Sequence, residues 1–181
     1  VLYEGELIAV RRKLLEEMAG FDEEMGADDV PIALRVTERG YRAISAQDAY
    51  FLELTPYTWR ARFSQKVRRA RHILQALWKY KYLNFRGNAS FGRIILPMET
   101  YIYVMEPLLS IPLLISSILI FIDDLPLSLL GILFLFTLFM FTKPRQLLVT
   151  YLTDTFIMLV AIVKELGRRE PVTWEKINEI R

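Results

Sequence analysis

The spacing of hydrophobic positions predicts two short helices within the first forty residues. Residues 12–18 are helix-prone, and Gly20 is well placed to end that helix. Residues 30–39 repeat apolar side chains at the spacing of one helix face, and Gly40 follows them. The stretch between the two predicted helices is an acidic loop.

Loosely alternating residues around these helices predict short strands at 3–10, 42–44 and 49–54. Strands and helices in this order are typical of an α/β domain over residues 1–56. The predicted sheet is too small to protect its edges, so we expect another segment or chain to supply further strands. The first residue is Val rather than Met, which also favours a fragment of a longer polypeptide.

A basic amphipathic helix is predicted after Pro56, with Thr58 as its N-cap and its end near residue 82. Its apolar residues form one stripe, made of Phe63, Val67, Ala70, Leu74 and Leu77. Arg and Lys fill much of the remaining surface, which is typical of a helix that lies in a membrane interface. Residues 57–93 are therefore predicted to be an interfacial helix followed by a glycine-containing joint.

Long apolar segments predict a transmembrane region over residues 94–166. We expect α-helical spans at 94–122 and 127–141, with a break or kink at the prolines of the first span. The segment 147–163 is partly polar, and both a spanning and an interfacial or re-entrant position stay open for it. Residues 167–181 form a tail.

Three carboxylates interrupt the apolar segments, namely Glu99, Glu106 and Asp154. A charged side chain that faces lipid is unfavourable by about 3 kcal/mol on insertion scales. We therefore expect these three side chains to face protein, water or a molecule that passes through the membrane.

Charge is distributed unevenly along the chain, although the net charge is only +2. Residues 54–98 carry ten basic residues and no Asp or Glu, whereas the rest of the chain has 13 basic and 21 acidic residues. A basic segment beside a span marks the cytoplasmic side of a cell membrane. It can bind anionic lipid headgroups or a phosphorylated substrate. Because the chain has no Cys and one His, disulfides, thiolate sites and multi-His metal sites are excluded or disfavoured.

Several motifs in the first half resemble those of family 2 glycosyltransferases. Residues 20–23 read GFDE, residues 26–29 read GADD, and residues 32–35 read IALR ahead of Gly40 and Tyr41. Members of that family carry a GGFDE-type loop, an acidic pair, and a helix reading LALR followed by a Gly-Tyr pair. The resemblance implies an incomplete nucleotide-sugar transferase domain of the GT-A type.

The basic helix carries a further motif of this resemblance. Residues 65–69 read QKVRR where membrane-bound members, such as cellulose, chitin, hyaluronan and poly-N-acetylglucosamine synthases, carry QxxRW. The motifs together cover about residues 3–72. The order of domain, basic helix and spans extends the resemblance to most of the chain.

The resemblance implies that Asp29 is the general base, which takes a proton from the acceptor sugar hydroxyl. Asp28 stands beside it, where Glu is usual in the family. The alternative for both is an acidic helix N-terminus, because Asp is stabilised at the positive end of a helix dipole.

The resemblance also assigns binding roles on the basic helix. Arg68 would contact the donor pyrophosphate or the adjacent end of the acceptor, where a fixed cation stabilises the growing charge of the leaving group. Gln65 would hydrogen-bond donor or acceptor. Arg69 replaces the expected Trp, so the acceptor-stacking ring of processive synthases is missing at this position. His72, one turn beyond Arg68, is expected at the membrane interface rather than in catalysis.

The resemblance also has implications for the acidic loop and for a bound metal ion. Phe21, Asp22 and Glu23 would form part of an acceptor-side loop, and an exposed turn between helices is the alternative. The family binds nucleotide and Mg²⁺ or Mn²⁺ through an upstream half that includes a DxD motif. No acidic cluster here has the strand context of that motif, so we assign no metal-ligating residue and expect the ligands outside this chain.

These features predict a membrane-bound enzyme that transfers a sugar, with inversion, from a nucleotide diphosphate sugar to a glycan or lipid-linked acceptor. The expected partners are the donor, the acceptor, the lipid bilayer and the missing N-terminal half of the catalytic domain, without which this fragment is expected to be inactive. One alternative is a non-catalytic, membrane-anchored basic module that docks on anionic lipid or a partner protein. A second alternative, nucleic-acid binding by the basic helix, is disfavoured by the apolar spans, and no nucleic-acid partner is expected.

Overall fold

The computed structural model describes residues 7–22, 25, 29–44, 46, 48–50, 52, 56–85 and 91–167. These residues are mainly helical and contain no strand. The α-helices are α1 (Arg12–Glu17), α2 (Asp29–Glu38), α3 (Trp59–Lys79), α4 (Leu96–Thr100), α5 (Glu106–Asp123), α6 (Leu125–Met140) and α7 (Thr142–Gly167). A 3₁₀ turn at Lys81–Leu83 follows α3, and π-helical segments at Phe91–Ile95 and Tyr101–Met105 precede α4 and α5.

The prediction of a strand at 42–44 is wrong, because these residues adopt no regular secondary structure. Residues 7–10, 49, 50 and 52 are also irregular, and the remainder of the other two predicted strands lies outside the described residues. Pairing with a neighbouring strand stabilises a strand, and the described part of the chain offers no such neighbour. The part of residues 1–56 that the structure describes is therefore helical and irregular rather than α/β.

Both short helices predicted in this region are present and end at the expected glycines. The φ angles of Gly20 and Gly40 are +85° and +80°, which is the left-handed conformation that glycine tolerates best. Arg35 of α2 donates hydrogen bonds to the carbonyl oxygens of Gly20, at 2.8 Å, and Met18. These bonds fix the end of α1 to α2. The two helices share a small core of Leu14, Met18, Ile32 and Val36.

Helix α3 lies at the centre of the packing. It begins at the predicted N-cap, where the Thr58 hydroxyl accepts a hydrogen bond from the Ala61 N–H at 3.3 Å. One side packs against α2 and α4 in a core of Val30, Leu34, Ile73, Ala76, Leu77, Tyr80 and Leu96. Another side packs against α7 in a core of Val67, Ala70, Leu74, Ile157, Met158 and Ala161. Protein side chains therefore cover most of the apolar stripe of α3, which was predicted to lie in a membrane interface.

Leu34 is the centre of the contact between α2 and α3, and none of its surface is exposed. Replacing Leu34 with Ala is expected to lower the free energy of unfolding by about 2–5 kcal/mol, because the removed atoms leave a cavity. Denaturant titration in detergent measures this change. Leu52→Ala, at a side chain that is 94% exposed, is the matched control and should change the free energy of unfolding by less than about 0.5 kcal/mol. Equal values for the two variants would contradict the assigned core.

Ion pairs join α3 to α7 beside their apolar contact. Lys66 Nζ lies 2.9 Å from Asp154 Oδ1, and Arg71 Nε lies 3.0 Å from Glu165 Oε2. Gln75 donates a hydrogen bond to the other Glu165 oxygen at 3.0 Å. Asp154 therefore contacts a protein side chain, in agreement with the expectation that it does not face lipid.

The other two carboxylates of the apolar segments also have protein surroundings. Glu99 is 7% exposed, and Glu106 accepts a hydrogen bond from the hydroxyl of Tyr151 on α7. Both are thus placed against protein, as expected for carboxylates in an apolar region.

The first apolar helix is continuous from Phe91 to Asp123, so its prolines do not break it, and the alternative of a kink stays a prediction. Pro97 and Pro107 are each the second residue after a π-helical segment. Such local changes of helix type can accommodate a proline without ending the helix.

Two helices, Phe91–Asp123 and Thr142–Gly167, are long and apolar enough to cross a membrane. Only 6% of the most apolar 18 residues of helix Phe91–Asp123 is buried inside the protein, so this helix is not an ordinary core helix.

Helix α6, at 16 residues, is about 24 Å long and shorter than a bilayer core of about 30 Å. Asp124 caps α6 by accepting a hydrogen bond from the Leu127 N–H at 3.1 Å. The first two apolar segments are therefore separated at Asp124.

Candidate functional site

Asp29 is the first residue of α2, and its position is set by the packing of that helix on α3. Its Oδ1 accepts a hydrogen bond from the Val30 N–H at 2.8 Å, and the side chain is half-buried. Val30 lies in the same buried cluster as Ile73 of α3. The start of α2 therefore packs in one buried cluster with the second half of α3.

Gln65, Arg68 and Arg69 are half-buried on α3. Gln65, Arg68 and His72 are spaced three and four residues apart, so they share one face of the helix. The charges of Asp29 and Arg68 both act on the His72 ring. The structure thus brings the predicted base and the predicted phosphate-binding arginine to the same part of α3.

His72 is buried, with 8% of its surface exposed, so its predicted place at a membrane interface is wrong. The packing of α2 and α7 against α3 removes it from the surface. Burial lowers the pKa of His72 below its ordinary value of 6.5, and Arg68 lowers it further, while Asp29 acts in the opposite direction. The ring is therefore neutral near pH 7.

The lowered pKa of His72 predicts that acidification destabilises the protein. The unfolded chain takes up a proton on His72 as the pH falls through 6.5, whereas the folded chain resists it until a lower pH. The free energy of unfolding therefore decreases as the pH falls below 6.5, down to the folded-state pKa. Melting temperatures of wild type and His72→Phe at pH 7.5 and pH 5 measure this effect. The drop should be smaller in the variant, and an equal drop in both proteins would contradict it.

Asp22 lies at the other end of α3 and anchors the acidic loop. Its carboxylate is 2.7 Å from Lys79 Nζ and accepts a hydrogen bond from the Tyr80 hydroxyl at 3.3 Å. Burial, followed by the charge of Asp22, raises the pKa of Tyr80. Lys79 is eleven residues beyond Arg68, or about 16 Å along the helix. The structure therefore does not bring Asp22 together with Arg68.

The remaining site residues are placed as follows. Phe21 is exposed, as either prediction for its loop requires. Glu23 and Asp28 lie outside the described residues. The two tryptophans nearest the position of Arg69, Trp59 and Trp78, are both exposed, and Lys81 Nζ lies 4.1 Å from the ring centre of Trp78.

Within the described ranges, no group of three or more His, Asp or Glu side chains could hold a metal ion. These residues alone do not fit the divalent ion that the family resemblance implies. No chemical step is therefore assigned to a metal at this site.

Sequence reasoning missed two features of the site. One is the burial of His72, although its spacing from Gln65 and Arg68 places it on their face of the helix. The other is the pair of contacts from α3 to Asp154 and Glu165, which are separated from their partners by 88 and 94 residues. No local pattern indicates contacts at such separations.

The carboxylate at the start of α2 and the basic helix α3 carry motifs that resemble those of one class of enzyme, the family 2 sugar transferases. The sequence profile of glycosyl transferase family group 2 matches residues 1–163, and the chain belongs to this family. The predicted membership of family 2 is thereby confirmed.

Two related proteins extend the comparison. The chain is 33% identical to the probable glycosyltransferase YdaM of Bacillus subtilis (strain 168) over 67 residues. These residues make up 37% of this chain and 16% of YdaM. The fold of this chain is similar to that of the mannosyltransferase PcManGT from Pyrobaculum calidifontis, solved in complex with GDP-Man and Mn²⁺. The TM-score is 0.67 at 28% identity, over 86% of this chain and 43% of PcManGT. The chain thus spans less than half the length of either relative.

Proposed function

We propose that this chain is part of a membrane-bound glycosyltransferase that moves a sugar, with inversion, from a nucleotide diphosphate sugar to a glycan or lipid-linked acceptor. One observation carries the proposal. In a chain of glycosyl transferase family group 2, the charges of Asp29 and Arg68 both influence the buried His72, which supports a proposed base and a proposed phosphate-binding cation close to each other. Transfer from a nucleotide diphosphate sugar requires both groups.

The two residues would act at opposite ends of the reacting centre. The acceptor O–H bond breaks and its proton passes to the Asp29 carboxylate. The acceptor oxygen forms a bond to the anomeric carbon from the side opposite the leaving group, which inverts the configuration. The bond between that carbon and the diphosphate breaks, and the electron pair leaves on the diphosphate. Arg68 stabilises this charge, and Gln65, one turn earlier, hydrogen-bonds donor or acceptor.

Membrane attachment is proposed from the apolar helices. Large apolar side chains are exposed along α5 and α6, and a surface of this size normally contacts lipid or another protein. The basic face of α3 would then lie on the cytoplasmic side of the cell membrane, near the phosphates of donor and lipid. In this arrangement α7 both crosses the membrane and supports the helix that carries Arg68.

Donor and metal are proposed from the relatives. PcManGT was solved with GDP-Man and Mn²⁺, so a nucleotide sugar and a divalent ion are the first ligands to test here. Their remaining binding groups, and the sheet of an α/β domain of the GT-A type, would come from outside the described residues. This accords with a chain that spans 43% of PcManGT. A cellulose, chitin, hyaluronan or poly-N-acetylglucosamine synthase-like subfamily stays a proposal that rests on the sequence motifs.

Turnover of nucleotide sugars by the full polypeptide tests the proposal. The protein in detergent is given Mn²⁺ and a panel of donors that includes GDP-mannose, with membrane lipid extract and oligosaccharides as acceptors. Release of nucleoside diphosphate from one donor is the expected result, with a product of inverted anomeric configuration by NMR. No release from any donor, in protein that is folded by circular dichroism, would overturn the proposal.

The alternative of a non-catalytic basic module receives less support from the contacts of α3. Such a module needs its basic residues for lipid or partner, yet Lys66, Arg71 and Lys79 are paired with carboxylates inside the molecule. Arg60, Arg62 and Lys81 are exposed and remain suited to lipid headgroups. The alternative predicts binding to anionic vesicles that falls steeply with salt and does not depend on Asp29.

A further inference from the structure

His72 lies where three elements of the site meet. It is on the face of α3 that carries Gln65 and Arg68, one turn beyond Arg68. Val30 of α2 and Ile73 of α3 belong to the same buried cluster, and the charge of the neighbouring Asp29 acts on the His72 ring. His72 is therefore a buried neighbour of the proposed base, and the mechanism above does not use it.

The two ring nitrogens of His72 are buried and have no hydrogen-bond partner within the described part of the chain. A buried polar group without a partner destabilises the folded state, whereas an apolar side chain of similar shape in its place can be neutral or stabilising. On grounds of stability alone, Phe or Leu would suit this position better than His. A residue that is unfavourable for stability beside a proposed base points to a role in the reaction.

Burial is the main reason that the ring is neutral, and four charged groups around it act in opposite directions. They are Asp29 on α2, Arg68 and Arg71 on α3, and Glu165 on α7. Burial and the two arginines oppose protonation, and the two carboxylates favour it. A neutral imidazole keeps one N–H donor and one acceptor nitrogen, so it can donate a hydrogen bond without carrying a charge into the core.

We propose that His72 is a positioning residue for Asp29, whose ring N–H donates a hydrogen bond to the Asp29 carboxylate and fixes the oxygen that takes the acceptor proton. The inference rests on the proposed function of Asp29. His72 keeps its own proton throughout and does not touch the sugar. Catalytic hydrogen bonds of this kind are often incomplete in the free enzyme and tighten once the substrates are bound.

Four variants of the full polypeptide test the inference, with the nucleotide sugar that the wild type turns over. His72→Phe keeps a planar ring but has no donor, while His72→Asn and His72→Gln place an amide N–H near one or the other ring nitrogen. The fourth variant, Asp29→Asn, tests the base itself. The readouts are kcat and the donor KM from nucleoside diphosphate release, together with the melting temperature.

His72→Phe is expected to lower kcat about 10- to 100-fold, as misplacement of a catalytic group does. Its donor KM and its melting temperature at pH 7.5 should not fall. At least one of the amide variants should recover most of the lost kcat. Wild-type kcat in His72→Phe would overturn the inference, and so would a loss that neither amide recovers. Wild-type turnover in Asp29→Asn would instead remove the proposed base, which separates the failure of the function from the failure of this inference.

Discussion

Replacing Asp29 with Asn is expected to lower kcat about 10²- to 10⁴-fold, the usual contribution of a general base. The amide has nearly the same shape as the carboxylate, and its oxygen can still accept the hydrogen bond from the Val30 N–H that Asp29 Oδ1 accepts now. It cannot take a proton from the acceptor. The loss should therefore appear in kcat for nucleoside diphosphate release, with folding and donor binding retained.

A matched control for this variant is at the other end of the same helix. Glu38 is exposed, and its carboxylate accepts a hydrogen bond from the Tyr82 hydroxyl at 2.5 Å. Glu38→Gln removes one negative charge from α2, as Asp29→Asn does, but far from Arg68. It should keep kcat within about twofold, as expected for a surface substitution away from the site. If the two variants lose activity equally, the helix and not the Asp29 carboxylate is responsible.

Replacing Arg68 with Ala is the second large effect that we expect, about 10²- to 10³-fold in kcat. The guanidinium would meet the charge that develops on the diphosphate, and removing one such fixed donor usually reduces the rate by that factor. Arg68→Lys should fall between Ala and wild type, because an ammonium keeps the charge but not the forked geometry of the guanidinium. Steady-state kinetics with the accepted donor measure both variants.

The control for Arg68 is another arginine of the same helix. Arg60 is exposed in the first turn of α3, two turns before Arg68. Arg60→Ala removes the same charge from the helix and should leave kcat within about twofold. A loss of similar size in both variants would mean that the overall charge of α3, and not the position of Arg68, determines the rate.

Local signals were sufficient to predict the helices around the site. Gly20, Gly40 and Thr58 act within one turn of the helix that they end or begin, so a single sequence contains the whole interaction. The second helix was predicted at 30–39 and observed at Asp29–Glu38, and the third begins directly after Thr58 as predicted. The roles of Asp29 and Arg68 were accessible only through resemblance to a family, because one carboxylate and one arginine have many uses.

Features that depend on distant residues could not be predicted in the same way. The apolar stripe of α3 indicates that something covers it, but lipid and protein satisfy the same pattern. The partner proved to be α7, about 90 residues away in the sequence. The burial of His72 follows from that packing. Residues 42–44 form no strand, and the described residues contain no other strand with which they could pair.

The salt bridges of α3 differ in how strongly dissolved ions affect them. Lys66 and Asp154 are each 54% exposed, whereas Arg71 and Glu165 are 17% and 23% exposed. Mobile ions screen exposed charges over about 8 Å at physiological ionic strength and act much less on buried ones. Raising the ionic strength should therefore release Lys66 from α7 while Arg71 stays bound. The half of α3 that carries Gln65, which the proposed function places beside the substrate, would loosen first and is the part of this helix most responsive to the ionic composition around it.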